Sequence, residues 1–283
     1  MTITITAMRS KYSLEELLVV AGIPRSTYYY RVKKYSQPDK RAVIILLIKE
    51  IFEESEKMYG HRLITGELER RGIHLNRKTV YKIMKENGME CLWRKKKYHH
   101  YGGKEHTEAP NLLDRDFTAD APMQKLVTDV TEFSLPFGKM YFSPVMDLYG
   151  RHLLSWDLSA NNDQRMIGRM LARLKENNPN LSGVMLHSDQ GMLYRSHNYL
   201  RFVEDNGIVR SMSRKGNCYD NSVIEHFFGH MKSRLGSLKK YNSPAVFAEA
   251  VDEWCEMYNN KWIQLGLGFK TPAEYVTEYK LNH

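Results

Sequence analysis

The 283-residue chain has few cysteines and no long hydrophobic run. Its three cysteines, Cys91, Cys218 and Cys255, lie too far apart to form a CxxC pair, so the sequence supports neither a disulfide framework nor a cysteine zinc site. The apolar run 43–48 is far shorter than the roughly 20 residues that a membrane-spanning helix needs. No charged and then apolar leader precedes a small-residue cleavage site. The sequence therefore predicts a cytoplasmic protein, nucleoid-associated if it binds DNA, with reduced thiols and no membrane partner.

Acidic residues are too few to balance the basic ones. The chain has 42 Lys and Arg against 33 Asp and Glu, a formal net charge of +9, and residues 1–110 carry the whole excess while residues 111–283 sum to zero. A basic module favours a polyanionic partner, and nucleic acid is favoured over a membrane because no basic helix has a broad apolar face. A solvated basic surface without a partner is the alternative on charge alone.

Length and charge distribution together predict at least two domains, since a domain has about 150 residues. Turn-forming and small residues near positions 102 and 110 mark the boundary. We divide the chain into a first helix-turn-helix segment (1–36), a second helical DNA-binding segment (37–102), a linker (103–120) and a larger module with C-terminal helices (121–283).

Two helix-turn-helix units are predicted in the basic part. Ser13 can cap a helix that Gly22 ends, and a second helix starts near Arg25. Farther on, a helix over 64–70 is followed by a turn and a helix that Asn76 caps. Polar and cationic side chains at such helix starts can reach phosphates and base edges, although many helical hairpins bind nothing. The candidate DNA-binding residues are Arg25, Ser26, Thr27, Arg77, Lys78 and Tyr81, with the basic run Arg94, Lys95, Lys96 and Lys97.

The larger module begins with three β-rich stretches separated by turn signals, which predicts an antiparallel meander. Helices and strands then alternate. This order is typical of an α/β fold with a mixed sheet flanked by helices. The strands are expected at 125–133, 140–147, 152–158, 184–187 and 208–212, and the helices at about 163–177, 196–206 and 221–235.

Three acidic residues lie where such a sheet places its sites. Asp129 lies within the first β-rich stretch, where an unpaired charge facing a core is costly, and Asp189 follows an apolar strand. Glu225 lies in the first turns of the last long helix, and 35 residues separate it from Asp189. Strand ends and helix starts border the sites of open α/β sheets, so we expect the three carboxylates to converge.

The helix of Glu225 has a second feature that favours a phosphate ligand. Lys232 lies seven residues on, and seven steps of about 100° return it to almost the same azimuth. Gly229 and Gly236 share that face and leave room for a sugar-phosphate backbone beside the lysine. The opposite face is predicted to be a core stripe of Val223, Phe227, Met231 and Leu235.

These residues resemble a known family. The strings VTDVTEF, HSDQG, NSVIEHFFGHMKSRLG and YNNKWIQLGLGFKTPAEY, in this order and with the 35-residue gap, are similar to those of the second-reading-frame (OrfB) transposases of two-frame bacterial insertion sequences. The core of that family is similar to retroviral integrases. IPRSTYYYRVKK and MYGHRLITGELERRGIHLNRKTVYKIMKENGM resemble its front helix-turn-helix segments, so the resemblance covers most of the chain. One departure is Trp262, where relatives usually carry Arg, and it leaves the DNA contacts of the tail open.

The resemblance implies an RNase H-like integrase core preceded by an all-α helix-turn-helix DNA-binding region. It makes Asp129, Asp189 and Glu225 the catalytic and metal-binding triad, and Lys232 the basic residue that follows the glutamate. The ligands are hard oxygens, which favour Mg²⁺, with Mn²⁺ as its substitute. Two such ions about 3.5–4 Å apart could activate a water or a DNA 3′-hydroxyl and stabilise the leaving oxygen.

The implied activity is metal-dependent cleavage and strand transfer at the ends of an insertion sequence. The expected partners are double-stranded DNA of the element ends and of the target, further copies of the chain in a dimer or higher oligomer, and an upstream-frame protein. Two other functions stay open: a catalytically inactive helix-turn-helix DNA-binding regulator, and a structure-specific nuclease with an RNase H-like core that cleaves without joining. No Ser-His-Asp elbow and no glycine-rich phosphate loop supports acyl transfer or nucleotide hydrolysis.

Two weaker candidates complete the set. His226 and His230, spaced i and i+4, could bind a metal, but surface or DNA-facing roles are favoured for them because no HExxH pattern is present. The basic stretch 214–217 before the helix of Glu225 is interpreted as a substrate-gating loop, with an ordinary loop as the alternative.

Overall fold

The computed structural model describes residues 2–36, 40–92, 109–214 and 218–283. The chain divides into two compact units, Met1–Glu90 and Cys91–His283. In the described ranges, no helix combines the length and the apolar character that crossing a membrane requires. The basic run Arg94, Lys95, Lys96 and Lys97 lies outside these ranges, as does most of the expected linker.

The first unit is helical throughout its described part. Its helices are α1 (Thr2–Met8), α2 (Leu14–Ala21), α3 (Arg25–Ser36), α4 (Lys40–Glu54), α5 (His61–Arg70) and α6 (Arg77–Glu86). Ser13 and Glu16 form a capping box at the start of α2, and Gly22 ends the helix with φ of +63°. Asn76 caps α6 as expected. Helices α1 and α4 are not among the elements predicted from the sequence. Helix α1 has only 7 residues, and the apolar run 43–48 within α4 is continuous and shows no helical period.

Two small cores hold these helices together. Ile5, Leu18 and Tyr28 pack where α1, α2 and α3 meet. Helices α4, α5 and α6 contact one another and bury a second apolar set. Arg71 at the end of α5 adds a charge network, because it pairs with Glu50 and Glu54 of α4 at 3.1 and 2.5 Å. The buried side chains of the second set include Ile48, Ile51, Ile64, Leu68 and Val80.

The second unit contains a six-stranded mixed sheet. Its strands are β1 (Lys125–Thr128), β2 (Thr131–Leu135), β3 (Gly138–Asp147), β4 (His152–Ser159), β5 (Met185–Ser188) and β6 (Val209–Met212). Antiparallel pairs join β3 to β1, β2 and β4, whereas parallel pairs join β5 to β1 and β6. An antiparallel meander followed by parallel strands confirms the predicted RNase H-like sheet.

The first predicted strand is interrupted at Asp129 and Val130, which divide it into β1 and β2. The register against β3 continues unchanged across the break, so Pro144 lies opposite Asp129. Proline has no N–H to donate to a strand ladder. The Asp129 carboxylate instead accepts the N–H of Val130 at 2.7 Å. The Asp129 carboxylate therefore lies at an interruption of a central strand of the sheet.

Helices cover the sheet. They are α7 (Gln164–Asn177), α8 (His197–Asp205), α9 (Ser222–Leu235), α10 (Pro244–Asn260) and α11 (Pro272–Asn282). The sequence analysis described α9 as the last long helix, and this is wrong, because α10 has 17 residues and α9 has 14. The expected core stripe of α9 also needs correction: Val223 is only half-buried, whereas Ile224 and Phe228 are buried.

Helix α10 binds strand β4, and the departure from the family pattern, Trp262, lies two residues after its end at Asn260. The Asn259 side chain accepts the N–H of Leu153 at 2.9 Å and donates to its carbonyl at 2.9 Å, as a neighbouring strand would. Trp262 is buried, with its ring 5.5 Å from that of Trp254 and 5.6 Å from that of His230. The tryptophan therefore serves packing between α9 and α10.

Candidate active site and DNA-binding surface

Asp129 is the central acidic residue of the second unit. It lies at the break between β1 and β2, half-buried, with β3 on one side of β1 and β5 on the other. Burial raises the pKa of Asp129, the neighbouring charges of Asp189 and Glu225 raise it further, and the result is a pKa of about 7 despite the Val130 hydrogen bond and the charge of Lys232. The carboxylate is thus surrounded by the residues that the sequence analysis grouped with it.

Asp189 directly follows β5, the parallel neighbour of β1. Its Oδ1 accepts the N–H of Gly191 at 2.9 Å, and burial raises the pKa of this carboxyl group too. A Cβ atom at position 191 would lie 2.8 Å from the same oxygen. Glycine is therefore required there if the carboxylate is to keep its orientation, a role that the sequence analysis did not assign.

Glu225 and Lys232 lie on one face of α9, as the helical period predicted. Glu225 is half-buried in the first turn, and Lys232 is exposed. The charge of Glu225 raises the pKa of Asp129, whereas the charge of Lys232 lowers it. The Lys232 ammonium lies 5.4 Å from the ring centroid of Phe133 on β2. The face of α9 that carries both side chains is thus directed toward the break in the central strand.

The structure brings the three carboxylates together as electrostatic neighbours without gathering them into a ready-made ligand cage. Within the ranges that the structure describes, no group of three His, Cys, Asp or Glu side chains has the arrangement of a metal site. His226 and His230, the alternative metal-binding pair, also belong to no such group in the described part of the chain. Their rings are 4.5 Å apart. His226 is exposed, as a surface role requires, whereas His230 is half-buried and burial lowers its pKa to about 3.

Two buried polar residues beside the acidic cluster were missed by the sequence analysis. The hydroxyl of Tyr194 lies 3.3 Å from Thr128 Oγ1, and burial, followed by the charge of Asp129, raises the Tyr194 pKa. Asn221 directly precedes α9, and its Nδ2 lies 3.5 Å from the carbonyl oxygen of Thr128. Its Oδ1 is buried and has no hydrogen-bond partner among the described residues. Neither residue carries a distinctive sequence signal, since asparagine before a helix is ordinarily a cap.

The candidate DNA-binding residues of the first unit lie at helix starts, as expected. On α3, Arg25 and Ser26 are exposed and Thr27 is half-buried. Arg25 pairs with Glu15 at 3.2 Å. On α6, the exposed side chains are Arg77, Lys78 and Tyr81, whereas Val80, Ile83 and Met84 are buried.

Comparisons with known proteins agree with both halves of this description. The HTH-like domain family matches residues 38–97, and the integrase core domain family matches residues 119–218 and 206–272. A structure of the HTLV-2 integrase catalytic core in complex with magnesium is similar at a TM-score of 0.44 and 16% identity, over 55% of this chain and 97% of that chain. The family matches show that the chain combines an HTH-like domain with an integrase core.

Relatives of nearly full length define the family. The chain is 43% identical over 269 residues to the Escherichia coli K12 protein named transposase InsK for insertion sequence element IS150, with 95% of each chain covered. It is 30% identical over 241 residues to the transposase for insertion sequence element IS904 of Lactococcus lactis, over 84% of this chain and 95% of that protein. The chain belongs to the insertion-sequence transposases, DNA-acting polynucleotidyl transferases, and this confirms the resemblance.

We expect the double variant Arg77→Ala and Lys78→Ala to bind DNA of the element ends more weakly. Each lost phosphate contact should reduce the slope of log affinity against log salt by about one. The fold should persist, because both side chains are exposed and point away from the core of α6. Binding titrations at several salt concentrations measure the effect. Lys57→Ala is the control, since this exposed lysine lies on no helix start. Equal salt slopes for the double variant and the wild type would remove α6 from the DNA interface.

Proposed function

We propose that Asp129, Asp189 and Glu225 are the catalytic triad of this transposase and that they hold the divalent metal ions of DNA cleavage and strand transfer. The observation that carries the proposal is the position of Asp129. Burial, and then the charges of Asp189 and Glu225, raise its pKa to about 7. Mutually repelling carboxylates at a strand break, a strand end and a helix start are costly to the fold, and a cation would relieve the repulsion. A site that binds a cation explains why the three carboxylates lie together here.

The donor set fits Mg²⁺ or Mn²⁺. All three side chains are hard oxygen donors. Asn221, whose Nδ2 lies 3.5 Å from the Thr128 carbonyl oxygen, adds the buried oxygen Oδ1. Lys232 is the cation that acts on Asp129 in the described structure, and one positive charge does not balance three carboxylates. When bound, the divalent ions would supply polarisation of the scissile phosphate and activation of a hydroxyl nucleophile.

The remaining residues of the α9 face would bind the DNA backbone. Lys232 is placed to meet a phosphate oxygen next to the carboxylates, and Gly229 within α9 adds no side chain there. Gly236 does not share that face as expected, because α9 ends at Leu235 and Gly236 caps it with a φ of +66°. A cavity of about 690 Å³ opens next to Ser134, the residue after Phe133, and Gly236, the residue after α9. Its lining residues are Ser134, Pro136, Gly236, Ser237, Leu238 and Lys239. This cavity gives a sugar-phosphate backbone room to approach the face.

The helical segments would bind the element ends. In this proposal residues 1–36 and 37–102 bind double-stranded DNA, residues 103–120 link them, and residues 121–283 carry the chemistry. Arg25, Ser26, Thr27, Arg77, Lys78 and Tyr81 contact the duplex, and the run Arg94, Lys95, Lys96 and Lys97 adds phosphate contacts. Two element ends must be held together, so a dimer or higher homo-oligomer on DNA, with the upstream-frame protein as a further partner, completes the assembly.

The test is a cleavage and joining assay with the purified chain and labelled duplexes of the element's own ends. Mg²⁺ and Mn²⁺ should each support cleavage and joining, and EDTA should abolish both. Cleavage without joining would favour the structure-specific nuclease instead. DNA binding with neither reaction in either metal would favour the inactive regulator.

We expect Lys232→Ala to slow joining about tenfold or more, which corresponds to at least about 1.4 kcal/mol for a charge-assisted phosphate contact. The melting temperature should change little, because the side chain is exposed. Lys232→Arg should keep part of the activity, since the charge remains while the donor geometry changes. Lys240→Ala is a matched control, because Lys240 also lies over an aromatic ring, 5.0 Å from the centroid of Tyr241. A large loss of melting temperature with normal joining per folded molecule would make Lys232 a structural residue.

A further inference from the structure

A second acidic residue lies at the entrance to α9, and its side chain is completely buried. Asp220 belongs to the short turn Cys218–Asn221 that leads directly into the helix of Glu225. The sequence analysis did not single it out, and it lies outside the triad. A buried carboxylate five residues before a catalytic one needs a physical explanation.

Both carboxylate oxygens of Asp220 accept hydrogen bonds, from Asn111 and Arg115 far away in sequence and from the nearby Arg214. Its Oδ1 accepts from Arg115 Nε at 2.8 Å and from Arg214 Nη2 at 3.1 Å. Its Oδ2 accepts from the backbone N–H and Nε of Arg214 at 3.0 and 2.9 Å, and from Asn111 Nδ2 at 3.0 Å. Burial alone raises the pKa of Asp220, but the hydrogen bonds from Arg214 and Arg115 outweigh it and lower the pKa to about 2. The carboxylate is therefore ionised and held at every oxygen.

These bonds join three segments around the sheet edge formed by β6. The segment before β1 runs beside β6, because Ser211 Oγ accepts the N–H groups of Leu112 and Leu113 at 2.9 and 3.1 Å. Arg214 lies two residues after the end of β6 at Met212. Asp220 attaches the start of α9 to both. Arg214 was expected to belong to a gating loop, but its guanidinium is anchored here; residues 215–217 lie outside the described ranges.

The start of α9 lacks the usual local device that fixes a helix end. Asn221 occupies the N-cap position, but its side chain makes no capping hydrogen bond. Helix starts are ordinarily fixed by such a bond, which is worth about 1 kcal/mol. Because Glu225 lies in the first turn, its direction depends on where α9 begins. The described hydrogen bonds that hold this point are those of Asp220, at 2.8–3.1 Å, and the longer one from Asn221 Nδ2 to the Thr128 carbonyl oxygen, at 3.5 Å.

We infer that Asp220 is a positioning residue: its buried carboxylate clamps the start of α9 to the segments 111–115 and 214, so that Glu225 faces Asp129 and Asp189. Stability alone does not explain the arrangement, because apolar replacements of buried ion pairs are often as stable. Defined geometry is what a network of five hydrogen bonds provides and an apolar contact does not. The inference rests on the proposed function, since it assigns Glu225 to the reaction.

The chain offers a matched control in Asp157 on β4. This carboxylate is also buried, accepts from Arg169 at 2.7–3.2 Å and pairs with Arg173 at 3.3 Å. It differs in place, since Arg169 and Arg173 belong to α7 and the pair fastens α7 to β4. The variants Asp220→Asn and Asp157→Asn thus remove the same charge from two similar environments, of which only one leads to Glu225.

The experiment compares both variants in the full chain by two measurements. Amide hydrogen exchange over residues 222–226 reports the order of the α9 start without reference to activity. The rate of joining as a function of Mn²⁺ concentration separates the maximal rate from the half-saturating concentration. We expect Asp220→Asn to speed exchange over 222–226 and to raise the half-saturating Mn²⁺ concentration tenfold or more, and Asp157→Asn to do neither even though it lowers the melting temperature comparably.

Arg115→Gln provides a milder variant should Asp220→Asn fold poorly. The Arg115 side chain is 47% exposed, so its loss should spare the fold while removing one bond of the clamp, and a smaller shift in the same direction is expected. Equal half-saturating concentrations in Asp220→Asn, Arg115→Gln and Asp157→Asn, or unchanged exchange over 222–226, would overturn the inference. The proposed function fails separately, if the wild-type chain needs no divalent cation or if triad variants remain active.

Discussion

Asp129→Asn, Asp189→Asn and Glu225→Gln should each reduce cleavage and joining on the order of a thousandfold or more, because each removes one charged ligand of the ions that activate the nucleophile and stabilise the leaving oxygen. Each replacement keeps the shape of the side chain. DNA affinity should stay close to that of the wild type, since the residues proposed to contact the duplex lie mainly in the helical first unit and, for Lys232, on the α9 face. The measurements are joining rates and binding titrations on the same purified variants.

Asp163→Asn is the matched control for the triad variants. Asp163 caps α7 through its Oδ1, and asparagine is an equally good N-cap, so both activity and stability should be retained. Near-normal joining by any one of the three triad variants would remove that residue from the metal site. Loss of DNA affinity in parallel with joining would instead indicate that the carboxylate supports the fold or the DNA interface.

Much of this arrangement follows from local patterns. The β-rich stretches and the helical periods of α7, α8 and α9 were predicted within a few residues, because each element buries one face and its apolar spacing records that burial. The placement of Glu225 and Lys232 on one face also follows from the period of a helix. Their roles came from the family resemblance, since spacing alone does not distinguish a metal ligand from a solvated carboxylate.

Features that depend on distant partners could not be predicted. The break at Asp129 lies opposite Pro144 of β3, and this pairing arises only through the register of the sheet. The partners of Asp220 include residues 105 and 109 positions away in sequence. Trp262 is a packing residue because α10 returns to α9, a contact that no local pattern records. In each case the chemistry of the residue is visible in the sequence and its neighbour is not.

Asp129→Asn should also make the Cys91–His283 unit more stable at neutral pH when no divalent cation is present. The pKa of Asp129 is raised from 3.8 to about 7 in the folded chain, first by burial and then by Asp189 and Glu225. The folded state therefore binds this proton more tightly than the unfolded state. The resulting contribution to stability is complete below about pH 4 and is lost as the pH rises through about 7. An asparagine has no charge to bury or to repel, so the variant should not show this loss.

At 1.36 kcal/mol per pKa unit the difference has an upper bound of about 4 kcal/mol, and because solvent reaches the half-buried site we expect about 2 kcal/mol at pH 8 and almost none at pH 4. Urea unfolding in EDTA, followed by tryptophan fluorescence, measures it selectively, since all four tryptophans lie beyond residue 90. Asp116→Asn is a control in which the pKa shift has the opposite sign. Hydrogen bonds from Lys125 and Thr118 lower the pKa of Asp116 to about 2, so the free energy of unfolding of this variant should not increase. Mg²⁺ should stabilise the wild type more than Asp129→Asn and narrow the gap. An Asp129→Asn chain no more stable than the wild type at pH 8 would mean that the three carboxylates do not repel one another in the folded protein, and the metal site inferred from that repulsion would lose its support.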